Sequence, residues 1–330
     1  MRRELSGKRI LVTGGAGFLG SNLAMTLAGL GNQVYVYDNL SRLGTRHNAE
    51  KLSKLPGIEV IQGELDDVAN FFLSHQVDLV YHFAAQVAVT TSYQSPRSDF
   101  RINAFGTFNL LQCTKAPVIY ASTNKVYGNN VNDIPLEELP TRYDFSGEFK
   151  KGIREDFSID SHHHTPYGCS KLLGDVYVRE YGGVVNRFSC MYGTQQFGNE
   201  DQGWVAHFII SKLTGRPLKI YGDGKQVRDL LFVDDVVRLL ILEGENVDEI
   251  RGQVFNIGGG PSNTISLLEL CDLLKLKPAM EDWRPADQKV YYSDIGKAGR
   301  ILGWSPKVSV SEGVQRLSDW AGENKHLFSI

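Results

Sequence analysis

The chain has 330 residues, of which 42% are hydrophobic and 22% charged, and carries a formal net charge of −3. That length allows two lobes with separate cores, and the near balance of charge excludes an electrostatic case for nucleic acid or an anionic membrane surface. No apolar run approaches a membrane span and the first residues lack a secretory apolar core, so the expectation is a cytoplasmic enzyme with no nucleic-acid or membrane partner.

The basic and β-branched run Lys8-Arg9-Ile10-Leu11-Val12-Thr13 leads into Gly14-Gly15-Ala16-Gly17-Phe18-Leu19-Gly20, and Leu23 and Leu27 follow at helical spacing. The pattern predicts strand, tight turn and helix. Gly14 or Gly15 lets the chain turn off the strand, Gly17 lets backbone amides approach a pyrophosphate, and Gly20 lets the helix sit close on the strand. The start of the helix at Phe18 and Leu19 then directs free N–H groups at phosphate. Gln33 to Tyr37 predict a second strand with Asp38 at its carboxyl end. A carboxylate there accepts hydrogen bonds from adenosine ribose hydroxyls and repels a 2′-phosphate, which favours NAD over NADP; Arg42 close by leaves NADP open.

Strand patterns recur at Ile58–Gln62, Leu79–Phe83, Val118–Ser122 and Val184–Phe188, with a helical pattern from Phe100 to Gln112. This βα alternation predicts an α/β fold with a Rossmann-type, doubly wound parallel sheet. The expected domains are 1–188 for the dinucleotide, with the chain returning near 229–257, and 189–330 as a smaller substrate lobe. Residues 129–165 are polar and broken by Pro135, Pro140, Gly147 and Gly152, which predicts a functional loop or lid. Beyond 190 the pattern predicts a helix from Trp204 to Leu213, a strand at Leu218–Tyr221 and helices near 266–275 and 311–323. Cys113, Cys169, Cys190 and Cys271 are widely spaced, which suggests neither disulfides nor zinc. The adjacent His162, His163 and His164 do not easily converge on one ion, so no metal is expected.

Tyr167-Gly168-Cys169-Ser170-Lys171 puts a tyrosine and a lysine on one helix face, one turn apart. A phenol is a poor base at neutral pH; a nearby ammonium favours the phenolate, which can then take a proton from a sugar hydroxyl as hydride leaves.

The glycine fingerprint, Asp38, Phe83-Ala84-Ala85-Gln86, Asn103, Ser122-Thr123, Tyr167 and Lys171, in that order, resemble the extended, nucleotide-sugar-modifying short-chain dehydrogenase/reductases over nearly the whole chain. The resemblance implies that NAD also meets Asn39, Glu64, Leu65, Phe83, Ala84, Ala85, Gln86, Asn103 and Ser122, with Glu64 standing where the family usually has aspartate. It implies Tyr167 as base, Lys171 as its electrostatic support and ribose holder, Thr123 as hydrogen-bond partner of the reacting oxygen, and a homodimer. The family's 4,6-dehydratases carry Asp-Glu after the active-site threonine; here Asn124-Lys125 occupies those places, so elimination lacks its acid and base.

Thr123-Asn124-Lys125-Val126, Met191-Tyr192-Gly193, Asp201-Gln202-Gly203-Trp204-Val205 and Gly224–Asp229 look like the branch that epimerises CDP-paratose-type sugars at carbon 2. That likeness implies a CDP-sugar substrate held by Asn124, Cys190, Gln202, Gly203, Trp204, Lys219, Ile220 and Tyr221, with Arg228 and Arg284 on the diphosphate. Trp204 can equally be a core aromatic and Cys190 a buried thiol. Another nucleotide-sugar epimerase, a net dehydrogenase and an NAD-sensing binding protein are the alternatives.

Overall fold

The computed structural model describes residues 5–160, 163–284 and 287–328. The chain folds into two compact units: the first takes residues up to Val126, Pro166–Arg187 and Val236–Phe255, the second Tyr127–Thr165, Phe188–Asp235 and the chain from Asn256 onward.

The first unit is organised by a seven-stranded sheet of β1 (Arg9–Thr13), β2 (Gln33–Asp38), β3 (Ile58–Gln62), β4 (Leu79–His82), β5 (Val118–Thr123), β6 (Val184–Phe188) and β7 (Val254–Ile257), in the order β7-β6-β5-β4-β1-β2-β3. Strands β1 to β5 pair in parallel, with Val12 beside Val36 on one flank and Tyr81 on the other. Ile10, Leu11 and Val12 are fully buried, as a strand covered by helices on both faces requires. Leu11, Val80, Leu110, Val118, Tyr120, Val178 and Val185 form one packed cluster between sheet and helices; burying each such side chain stabilises the fold by about 1.5–3 kcal/mol. The strand order reverses between β1 and β4. In an open parallel sheet that is where ligands bind, outside the carboxyl ends of the strands, and Gly14, Asp38, Phe83 and Asn124 all directly follow or end strands there.

The helical pattern expected from Phe100 to Gln112 is three consecutive pieces: a turn at Pro96–Phe100, a π-helical turn at Arg101–Phe105 and a helix at Gly106–Cys113.

In the second unit Val227–Phe232 lies between Thr264–Ser266 and Val290–Tyr291 and also pairs with Cys190–Tyr192. Lys219–Tyr221 pairs with Ala279–Glu281. Its helices include Trp204–Thr214, Leu267–Leu274 and Val310–Glu323. The second of these begins with a capping box, Ser266 accepting from Glu269 N while the Glu269 carboxylate accepts from Ser266 N, which satisfies two otherwise unpaired amides.

Two expectations are corrected here. Residues 127–165 belong to the second unit, not to the dinucleotide domain, and among the described residues they are built into it. Leu136–Glu138 and Tyr143–Phe145 form a two-stranded ribbon; Tyr143 N donates to Lys225 O at 2.9 Å and Ile153 N to Tyr292 O at 2.9 Å; the Arg142 guanidinium holds Glu269 at 2.6 Å. Polar, proline-punctuated sequence resembles a lid because such ties run to partners over 80 residues away and leave no local periodicity. The return to the first unit is also shorter than expected, 236–255, because Val227–Phe232 is a strand of the second unit's own sheet.

Candidate active site

The turn after β1 resolves which glycine bends the chain. Gly14 has φ +64°, and a Cβ there would stand 2.7 Å from Ala84 N, so both conformation and close approach demand glycine. Gly20 lies in the first helix, Phe18–Gly29, where a Cβ would meet the Gly14 carbonyl and come within 2.5 Å of Gly15 Cα. Gly17 is the N-cap, and no side chain caps that helix, so its first amides, at Phe18 and Leu19, are left to an anion.

Asp38 ends β2 nearly buried. Ala16 N donates to its Oδ2 at 3.1 Å and Leu40 N to its Oδ1 at 2.8 Å. The carboxylate thus also pins the glycine turn. Burial pushes its pKa up, opposed by those amides and by Arg42. At the ends of β2 and β3, Asn39 Nδ2 donates to both oxygens of Glu64 at 3.1 and 3.2 Å, and the Tyr37 hydroxyl donates to Glu64 O at 2.7 Å. Leu65 is buried against Gly106.

After β4 the chain is held by Phe83 N donating to Thr13 O at 3.0 Å and Gln86 N to Asn103 Oδ1 at 2.8 Å, while Asn103 Nδ2 donates to Gln86 O at 2.9 Å. Ala84 N faces the Thr13 hydroxyl at 3.3 Å, and Ala85 lies between these anchors. Replacing Asp38 by alanine removes two charge-assisted hydrogen bonds from the turn and the acceptor toward ribose. It is expected to weaken NAD binding about tenfold or more; calorimetry showing unchanged affinity would discard this role.

Tyr167 and Lys171 share the helix Pro166–Glu180 and are both buried. Thr123 ends β5, and its hydroxyl accepts from Lys125 N at 3.2 Å and shares a hydrogen bond with the Tyr167 phenol. Asn124 Oδ1 lies 3.3 Å from that hydroxyl. Ser122 donates to Asp175 at 3.3 Å. Burial pushes the Tyr167 phenol up to about 12, and the influences favouring its ionisation are the Thr123 hydrogen bond and the Arg42 charge. Lys171 sets its ammonium 4.0 Å from the centre of the Tyr120 ring, and burial lowers it to about 7 against the pull of Asp175 and Asp99. Beside it His82, clasped by the Thr13 and Thr107 hydroxyls at 2.6 and 2.9 Å, is held neutral by burial and the Lys171 charge, with its pKa lowered to about 3.

In the second unit the structure brings Cys190 and Trp204 together, the indole N–H donating to Sγ at 3.5 Å. Gln202 is locked by reciprocal backbone bonds with Asn199, and Gly203, at φ +72°, is the N-cap of the helix that Trp204 begins. Arg284 stacks 3.9 Å from the centre of the Tyr221 ring and pairs with Glu200 at 3.3 Å, and Glu200 also accepts from the Tyr221 hydroxyl. Arg228 pairs with Asp287 at 2.7 Å and Lys219 with Glu281 at 2.9 Å. A diphosphate would have to take these cations from carboxylates. Strand alternation points Ile220 into the core, where it is fully buried, so only its backbone is left for a ligand.

Asp99, Asp175 and Glu200 were missed by the sequence reading, and Arg42, noted there only for its bearing on NADP, also acts on Tyr167. Asp99 and Asp175 each stand four residues, one helical turn, from Asn103 and Lys171 respectively, which is the one signal the sequence carries. Among the described residues no group of three or more His, Cys, Asp or Glu side chains is arranged for a metal, and no helix is long and apolar enough to cross a membrane; His162 lies outside the described residues.

Residues 10–258 match the NAD dependent epimerase/dehydratase family. The chain is 41% identical to the CDP-paratose 2-epimerase of Salmonella typhi over 94% of this chain and 98% of that protein. The UDP-glucose 4-epimerase of Thermotoga maritima, solved with UDP-glucose, superposes with a TM-score of 0.80 at 30% identity, covering 96% of this chain and 99% of that one. The UDP-glucuronic acid 4-epimerase of Bacillus cereus, solved with UDP-glucuronic acid and NAD, gives 0.78 at 28% identity over 96% and 99%. NAD is the cofactor. The first unit fits it: the glycine turn packs too closely for a Cβ at Gly14 or Gly20, the helix behind it is uncapped, and a buried carboxylate ends β2.

Proposed function

Because the chain belongs to the NAD-dependent epimerase/dehydratase family, of the extended short-chain dehydrogenase/reductase type, and is an enzyme of nucleotide-sugar chemistry, we propose that it epimerises a CDP-sugar at carbon 2, converting CDP-paratose to CDP-tyvelose. The observation that carries the reaction type is the buried Tyr167–Thr123 pair followed by Asn124 and Lys125: there is a group to move one proton, and no acid and base at the next two positions to expel water. The 41% identity over almost the full length of a CDP-paratose 2-epimerase supports the sugar and the base.

When bound, NAD supplies the hydride acceptor, the hydride donor and a positive ring that favours a phenolate. The chain's own residues do the rest. Tyr167 takes the proton of the carbon-2 hydroxyl, Thr123 hydrogen-bonds that oxygen, and Lys171 holds the ribose. The resulting 2-keto sugar turns its other face, and Tyr167 returns the proton as carbon 2 is reduced, so no net redox occurs. Arg228 and Arg284 take the diphosphate as the fixed handle, exchanging Asp287 and Glu200 for phosphate oxygens. Asn124, Gln202, Gly203, Lys219, the Ile220 backbone and Tyr221 surround the rest of the nucleotide sugar, and the Cys190–Trp204 pair gives it a weakly polar wall suited to a deoxygenated sugar.

Proton NMR in deuterated buffer without added NAD tests this. CDP-paratose and CDP-tyvelose should interconvert with no deuterium entering carbon 2, and faster than CDP-glucose reacts. A faster CDP-glucose reaction would change the sugar, and deuterium at carbon 2 would replace hydride return by proton abstraction.

The enzyme acts in the cytoplasm as a homodimer. Leu173, Val176, Tyr177 and Tyr181 lie exposed on or just beyond the helix Pro166–Glu180, with Phe105 exposed on a neighbouring segment, an apolar group larger than isolated surface residues require. Light scattering should report about twice the 36.8 kDa chain; a monomer at assay concentration would remove this part.

A further inference from the structure

Asp99 is a buried carboxylate in the turn Pro96–Phe100 that binds three separate segments at once. Its Oδ2 accepts from the Ser170 hydroxyl at 2.5 Å, and its Oδ1 accepts from Gln86 Nε2 at 2.8 Å and Asn103 Nδ2 at 3.2 Å. Asn103 Nδ2 also reaches Ser170 Oγ at 3.1 Å. One side chain therefore links the loop after β4, the π-helical turn and the helix carrying Tyr167 and Lys171.

The carboxylates around Lys171 are not equivalent. Asp175, one turn along the same helix, is held by Arg187 at 2.8 Å and Arg179 at 3.0 Å. The hydrogen-bond partners of Asp99 are Ser170, Gln86 and Asn103, all neutral. The other titratable groups facing the ammonium are His82 from β4, which is neutral, and the Tyr120 phenol from β5, and Tyr167 stands one turn back on the same helix. Both carboxylates favour the ammonium, Asp175 more than Asp99, and Asp99 is the one of the two whose hydrogen-bond partners carry no charge. Leaving a carboxylate among neutral partners costs desolvation, and that cost is not needed to hold three segments together; an amide would bridge them as well.

We propose that Asp99 is a positioning residue for the Tyr167–Lys171 pair, fixing the cofactor loop to the catalytic helix through Ser170 and adding, beside Asp175, a counter-charge for the Lys171 ammonium. The proposal rests on the reading of Tyr167 and Lys171 as the reacting pair, and the two fail differently. A fully active Tyr167→Phe variant removes that reading; the measurements below need no substrate.

Two variants separate the roles. In Asp99→Asn the amide oxygen still accepts from Gln86 and Asn103, and the amide nitrogen donates to a rotated Ser170 hydroxyl, so the bridge survives without its charge. Ser170→Ala keeps the charge and cuts the bridge. The Lys171 titration is read by NMR of lysine-labelled protein, with its resonance assigned by its loss in Lys171→Met. It should move down by about one pH unit or more in Asp99→Asn and stay in place in Ser170→Ala. The NAD dissociation constant should rise about tenfold in Ser170→Ala. An unmoved Lys171 titration in Asp99→Asn overturns the charge role, which a merely structural residue would also leave unmoved. Wild-type NAD affinity in Ser170→Ala overturns the bridge, whether or not the Asp99 variant folds.

Discussion

Tyr167→Phe is expected to lower kcat by about a thousandfold, within the range that general acid–base groups contribute, while leaving NAD affinity close to wild type. The change deletes one oxygen from a ring that is already buried, so packing is nearly conserved and the lost function is proton transfer. The size of the effect follows from how the site treats the phenol. Burial, with a smaller push from the Asp99 charge, holds it up at about 12, so at neutral pH it starts protonated and needs help to become a base. The chain's contributions to that help are the Thr123 hydrogen bond and the Arg42 charge, both directed at the one oxygen the substitution removes. Without that oxygen the hydroxyl proton of the sugar loses the acceptor that this reading assigns to it. Turnover of a competent nucleotide sugar beside NAD calorimetry separates the two readouts, and wild-type turnover would take the base away from Tyr167.

The sheet and the cofactor end of the site were legible because each element leaves a local mark. Ile10 to Val12 read as a doubly covered strand, Gly14 to Gly20 as a turn with no room for Cβ atoms, and Asp38 as the last residue of the next strand. Even there the sequence could not say that Gly14 rather than Gly15 takes positive φ, which depends on Ala84 arriving from another strand. The electrostatics of the site were less legible. Tyrosine and lysine one turn apart gave no sign that the ammonium sits 4.0 Å from the centre of the Tyr120 ring, or that Thr123 and Arg42 favour ionisation of the phenol. Asp99 and Asp175 escaped notice because a carboxylate one turn from a motif reads as a solvated helix face until distant partners, Gln86 and Arg187, are brought to it. The segment 129–165 read as a loop for the same reason: Tyr143, Arg142 and Ile153 are ordered by Lys225, Glu269 and Tyr292, contacts with no periodic trace.

Glu243 sets the second large expectation, a contribution to stability that is lost as pH rises through the neutral range and that Glu243→Gln removes. The side chain is fully buried, and Asn186 Nδ2 donates to its Oε2 at 2.7 Å. Two polar atoms of the same pair, Glu243 Oε1 and Asn186 Oδ1, are left without a partner. One proton on Oε1 satisfies both, since a carboxylic acid and a primary amide close a ring of two hydrogen bonds. Burial accordingly raises this carboxyl to about 8 from an ordinary 4.5. Between those values the folded protein holds one proton more than the unfolded chain, so its contribution is fully present below about 4.5 and is lost at about 1.4 kcal/mol per pH unit as pH rises toward 8. Lys171, lowered to about 7, works in the opposite sense above that pH, so the wild-type curve alone mixes the two. Glu243→Gln isolates the first: glutamine keeps the ring of hydrogen bonds with Asn186, has no proton to lose, and leaves Lys171 untouched. Denaturant midpoints measured from pH 5 to 8.5 should fall less steeply in the variant, with the gap widening toward alkaline pH; parallel curves would mean that Glu243 is ionised in the core and that Asn186 alone carries its charge.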